Sequence, residues 1–222
     1  MTRRRDALPI HHGNDAVGEW VFWDPVGERS RADAFEWTLV QAKSALMLLC
    51  EARLLAADLA VATFAPADRR GPFRRQVSPS DPIGDVQRLF QSEWVGLFPL
   101  SLFFEGEGVL LSANGETRNR NLVTVSASEV AHHGRVLIAT RCDAWLPYDL
   151  RGGAQPETSA LNAPRLRQVL ERMEGVLGVT GECRRSEIAS CDGYSLANRM
   201  DVDGEPLDIF DLGYDESRIA TE

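Results

Sequence analysis

Residues 98–140 read FPLSLFFEGEGVLLSANGETRNRNLVTVSASEVAHHGRVLIAT, and this stretch decides the fold class. Residues 100–104 and 109–112 are apolar runs separated by Glu105-Gly106-Glu107-Gly108, which reads as a turn. Asn114-Gly115 is a sharp hairpin signal, since both residue types tolerate the positive φ of a type I′ turn. Residues 122–125 and 135–140 supply two further strands. Strands joined by turns this short pair antiparallel, because a parallel pair needs a long crossover. Upstream, Glu19 to Trp23 adds a short strand closed by Asp24-Pro25.

Helices flank this region. Between Gly27 and Pro66 there is neither Gly nor Pro, and Ala, Leu, Met, Glu and Arg dominate. That composition predicts one long helix over 31–64, with Ser30 or Asp33 as N-cap. Glu36, Lys43, Glu51 and Asp58 would lie on a single stripe of it, leaving the helix buried on most of its circumference. Cys50, inside this apolar run, reads as a small hydrophobe. Residues 66–82 read as a loop carrying Arg69, Arg70, Arg74 and Arg75, a solvated segment without phosphate-cradle chemistry. A second helix begins at Ser80-Asp81-Pro82, with Ile83, Val86, Leu89, Phe90 and Trp94 at helical spacing. The third starts at Asn162-Ala163-Pro164, buries Leu166, Val169, Leu170, Met173, Val176 and Leu177, and stops at Gly178. The expectation is one α+β domain over 1–222, an antiparallel sheet of about five strands packed on three helices, one long and largely buried.

With 222 residues, 44% of them hydrophobic and 26% charged, the chain has the balance of a globular protein rather than a disordered or fibrous one. The net charge of −9 weighs against a nucleic-acid partner. Of 24 basic residues only Lys43 is a lysine, a skew that fits a GC-rich genome. After Met-Thr-Arg-Arg-Arg no apolar segment follows, and no stretch is long enough to span a bilayer, so a cytoplasmic protein is expected. The four cysteines lack CxxC spacing and are too sparse for a disulfide scaffold.

The charge is unevenly placed. Residues 187–222 hold ten acids against Arg199 and Arg218, and so carry −8 of the total of −9. Aromatic and aliphatic residues run through the same segment. GxSxG, SxxK, P-loop, GxGxxG and HExxH patterns are all absent. The histidines occur as adjacent pairs, His11-His12 and His132-His133, a poor arrangement for chelation, and both pairs read as loops. Asp201-Val-Asp203-Gly204-Glu205 has glycine at the wrong position for an EF-hand and reads as an acidic turn. No catalytic residue, cofactor or metal is therefore expected.

The style of the chain, acidic, motif-poor and α+β, is similar to that of bacterial immunity proteins that neutralise a cognate toxin. The resemblance is one of class. It implies a non-catalytic module occluding the active site of a basic, toxin-like protein, with neither nucleic acid nor membrane as partner. Tyr194, Phe210 and Tyr214 would anchor that partner, and Asp201, Asp203, Glu205, Asp208, Asp211 and Asp215 would steer it. Homodimerisation through the long helix is compatible with this. The alternative is a hydrolase-like enzyme with dispersed Asp, Glu and His, gathered around Asp143, Trp145, Asp149 and His132 or His133.

Overall fold

From Ser101 to Leu110 every second residue is buried, the period of a strand with one face on a core. A computed structural model describes residues 11–12, 16–27, 30–66, 72–78, 80–92, 97–184, 186–208 and 219–220. In it residues 101–110 belong to a single 16-residue strand, β5 (Leu97–Ser112). The predicted break at Glu105-Gly108 does not occur. Its glycines serve a different purpose: a Cβ on Gly106 would lie 2.0 Å from the Ala56 carbonyl oxygen, and one on Gly108 2.3 Å from that of Leu54. Glycine in a strand interior here marks backbone passing against backbone.

The elements in chain order are β1 (His11–His12), β2 (Gly18–Trp23), α1 (Arg31–Glu51), β3 (Ala56–Pro66), β4 (Phe73–Val77) and α2 (Pro82–Ser92). After β5 come β6 (Gly115–Arg120), β7 (Thr124–Val130), β8 (His133–Thr140), α3 (Pro156–Leu177) and β9 (Glu182–Arg184). β10 (Ala189–Asp192), β11 (Ser195–Asn198) and β12 (Ile219–Ala220) complete them. The main sheet has eight strands, in the order β4-β3-β5-β7-β8-β2-β9, with β6 paired to the second half of β5. Every pairing in it is antiparallel, and in the β5–β6 and β7–β8 hairpins the short turns require it. The α+β class and three helices are as expected; the sheet is larger than the five strands read from sequence. Its extra strands are β3, β4 and β9, and the hairpin after Ser112 adds β6.

The 31–64 helix is shorter than predicted. α1 stops at Glu51, Arg53 turns into the left-handed region at φ 60, and residues 56–66 become β3. Ser30 is the N-cap, its hydroxyl accepting from the Asp33 amide. α1 buries Phe35, Leu39, Ala42, Leu48 and Leu49 on one side and leaves Val40, Met47 and Cys50 exposed beside Glu36 and Lys43. It is therefore a one-sided surface helix rather than one buried on most of its circumference. Cys50 is an exposed thiol, and Asp58 sits on a strand. The segment read as a loop over 66–82 contains edge strand β4, on which Arg74 and Arg75 are exposed; Arg69 and Arg70 lie outside the described residues.

α2 begins as predicted, with the Asp81 carboxylate accepting from the Gly84 amide. Val86 is buried and Ile83 partly so; the side chains of Leu89 and Phe90, and Trp94, lie outside the described residues. α3 starts eight residues before the predicted Pro164, at Pro156, and ends at Gly178 with φ 70. Leu166, Val169, Leu170, Met173 and Leu177 are buried, while Val176 faces solvent. Asn162 is no cap. It is buried, and its amide both accepts from and donates to the Leu111 backbone, fastening α3 onto the end of β5. α1 lies across β7 and β8, and α3 packs on α1 and β5, so Trp20, Phe22, Phe104, Ile138 and Leu170 meet in one apolar core.

The hairpin at Asn114-Gly115 forms one residue earlier than read, with Ser112 paired to Gly115 and only Gly115 at positive φ. The histidine pairs read as loops fall on a loop only at His132. His11-His12 forms β1 against β12, and His133 opens β8. Ala131 and His132 form the two-residue β7–β8 turn at φ 49 and 70, a conformation L residues adopt at a penalty. Glu129 offsets it: its carboxylate accepts from the His132 amide at 2.6 Å and pairs with Arg31.

Candidate functional site

The acidic loop is built on the end of the β10–β11 hairpin. After β11, Met200 bridges to Pro206, and the Leu207 amide donates to the Arg199 carbonyl. Inside that bridge the Asp201 carboxylate accepts from the amides of Asp203 and Glu205, at 2.8 and 2.9 Å. Its hydrogen-bonding capacity therefore goes to shaping the turn, which Gly204 completes at φ 84. Among the described residues no group of three His, Cys, Asp or Glu could hold a metal ion. Asp203 and Glu205 are exposed, and no described cation pairs with them. Between Asp201 and Asp203, Val202 is 100% exposed, and Met200 at the base is 50% exposed.

The other residues picked as partner contacts behave differently. Asp208 is half-buried. Phe210, Asp211, Tyr214 and Asp215 lie outside the described residues. Tyr194 anchors its own chain: its hydroxyl accepts from the Gly181 amide and donates to Glu174, each at 2.8 Å. One residue earlier, the Gly193 carbonyl accepts from the Trp20 indole at 2.9 Å. A disulfide, Cys183–Cys191, ties β10 to sheet-edge strand β9. Sequence spacing hid it, because the two cysteines, eight residues apart, meet where the chain turns from β9 into β10 rather than in a motif.

The Tyr194–Glu174 contact makes hairpin docking pH-sensitive in both directions. The hydrogen bond from Tyr194, then that from Thr180, holds the Glu174 carboxyl below its ordinary value. Burial first, and then Glu174, pushes the Tyr194 phenol from 10.0 up to about 12. A lowered carboxyl stabilises the fold above its ordinary pKa, and that contribution fades as pH falls through the folded value. A raised phenol stabilises below pH 10, and its share is lost as pH rises toward about 12. Replacing Tyr194 with Phe should abolish the alkaline loss, as followed by Trp20-sensitive fluorescence across a pH titration.

The residues of the enzymatic alternative do not converge. His132 and His133 lie at one end of β8 and Asp143 beyond the other; an eight-residue strand separates them by about 23 Å. Asp143 is 1% exposed and its carboxylate accepts from the Leu150 amide. Asp149 accepts from the amides of Arg151 and Gly153. Trp145 is buried, with its indole donating to the Thr140 hydroxyl. These carboxylates staple the 141–155 segment. Nearby, Cys142 is fully buried, and burial first and then Asp143 push its thiol well up.

One larger hollow, about 610 Å³, opens between α1 and α2 over Leu55, Phe104 and Ile83, with Lys43 and Cys50 among its lining residues. Its walls mix aliphatic residues with the polar Ser80, Asp81 and Gln87. Comparison with known proteins finds no family model, no curated protein and no solved structure that matches the chain. No described helix is long and apolar enough to cross a membrane.

Proposed function

We propose that the chain is a non-catalytic, cytoplasmic protein-binding module of the bacterial immunity type, which occludes the active site of a basic, toxin-like partner. The observation that carries this reading is the loop 200–206: a valine fully in water at its tip, between carboxylates that no described cation neutralises. An apolar contact ringed by like charge suits a cationic cleft, where the valine gains by desolvation and the carboxylates speed the encounter. The turn is pre-shaped by the Asp201 hydrogen bonds, so little conformational entropy is lost on docking. Self-association through the exposed Val40–Met47 side of α1 is compatible with it.

Deleting 187–222 is a poor test, since it also removes Tyr194, Gly193 and Cys191 from the fold. Point changes are cleaner. Val202→Asp and the pair Asp203→Asn/Glu205→Gln alter groups that make no described side-chain contact. Affinity capture from the native lysate should recover one dominant basic protein with the wild type. Val202→Asp should weaken its capture by at least about tenfold, and the neutralised pair should flatten its salt dependence. Capture unchanged by all three substitutions would overturn the reading.

A further inference from the structure

We propose that Cys183–Cys191 is a thiol–disulfide exchange site selective for small anionic thiols. The disulfide is part of the wall of an open hollow of about 390 Å³ whose lining includes Arg184, Arg199, Ser186 and Ser190. No carboxylate is among its described lining residues. The Arg199 guanidinium donates to the Glu187 backbone carbonyl, a neutral acceptor that leaves its charge in place. Two cations beside a solvent-reachable disulfide attract a carboxylate-bearing thiolate and stabilise the cysteine thiolate it displaces.

The step is balanced without any further reagent. The incoming thiolate sulfur bonds to one cysteine sulfur as the Cys183–Cys191 bond breaks, and the electron pair leaves on the other cysteine as a thiolate. A second thiolate then attacks the mixed disulfide, releasing the oxidised small disulfide. The protein gains two electrons from the two thiols, and both cysteines take protons from water. The Trp20–Gly193 and Tyr194–Glu174 hydrogen bonds involve neither sulfur, so breaking the disulfide removes one tether of the hairpin without removing their donors or acceptors. Reversal is therefore open to it. This inference stands apart from the partner reading and needs no partner.

The test uses the full chain with Cys50→Ser, which removes the exposed free thiol. Reduced glutathione, an anion, and cysteamine, a cation, are compared as rates per thiolate, by trapping free thiols and reading intact mass. Glutathione should react about tenfold faster at low salt, with the preference collapsing at high salt. Arg184→Gln and Arg199→Gln together should bring the ratio close to one. Because Arg199 also holds the Glu187 carbonyl, Arg184→Gln alone is measured too and should lower the ratio part of the way. Equal per-thiolate rates in the wild type, a ratio indifferent to salt and to both arginines, or a disulfide that neither thiol opens would each overturn the proposal.

Discussion

Gly106→Ala should destabilise the protein by at least about 4 kcal/mol, a large part of the stability a domain this size normally has. The added Cβ would stand 2.0 Å from the Ala56 carbonyl oxygen and 2.8 Å from both the Ala56 carbonyl carbon and the Ala57 Cα. All three are backbone atoms, so no side chain can rotate away. Relief requires β3 to move off β5 just where the register already shifts, between Ala57 and Leu59. Thermal unfolding should show the midpoint falling by roughly 10 °C or more. Gly27→Ala is the matched control, with nothing within 4 Å of its Cβ, and should change stability by no more than about 0.5 kcal/mol. A Gly106→Ala protein as stable as the control would mean that the β3–β5 approach is looser than described.

Gly106 also shows where sequence reasoning ran out. A Glu-Gly-Glu-Gly run between two apolar stretches is what a turn looks like, because local chemistry cannot reveal another strand pressed against it. The end of α1 was hidden for a related reason. No Gly or Pro marks it, and residues 56–66 have an alanine-rich composition that favours helix. The stop comes from elsewhere in the chain: the Arg165 guanidinium, on α3, donates to the Ala52 carbonyl at 2.8 Å and to the Val109 carbonyl at 2.8 Å. Burial lowers the pKa of that guanidinium, and besides the two backbone carbonyls it donates to the Asn162 side-chain oxygen at 2.9 Å. The period-two burial of Ala60, Ala62 and Phe64 becomes visible only once β5 lies alongside. Tertiary context overrode propensity there.

Signals that act over a few residues were legible. Asp81 before Pro82, Gly178 after the apolar face of α3, and the turn near Asn114-Gly115 each set local geometry unaided. In the acidic segment, composition marked the loop around Asp201 but not what each residue does. Tyr194 looked like a partner anchor because an aromatic among carboxylates suggests one; in the fold its hydroxyl is committed to Gly181 and Glu174. Val202, an ordinary residue by type, is the apolar side chain left wholly in water among the described residues of that segment. Exposure is a property of the assembled hairpin, and no residue type announces it.

Thr140→Val should cost about 4 kcal/mol while changing side-chain volume hardly at all. The Thr140 hydroxyl donates to the Leu122 carbonyl at 2.6 Å and accepts from the Trp145 indole at 2.6 Å and the Cys142 amide at 3.3 Å. Thr140, Leu122, Cys142 and Trp145 are all buried, so water cannot replace what valine removes. Each buried polar group left unpaired costs about 1–3 kcal/mol, and here three are orphaned together. Trp145→Phe removes one donor and leaves the hydroxyl its other two partners, so its hydrogen-bond loss should be about 1–2 kcal/mol. The two changes share one network and should not add: with the indole already gone, Thr140→Val orphans one group fewer. Urea unfolding of the two single variants and the double variant measures this directly. A double variant destabilised by the full sum of the singles would show that the indole and the hydroxyl act independently, and that the pivot joining β8 to the 141–155 segment is apolar packing rather than this hydroxyl.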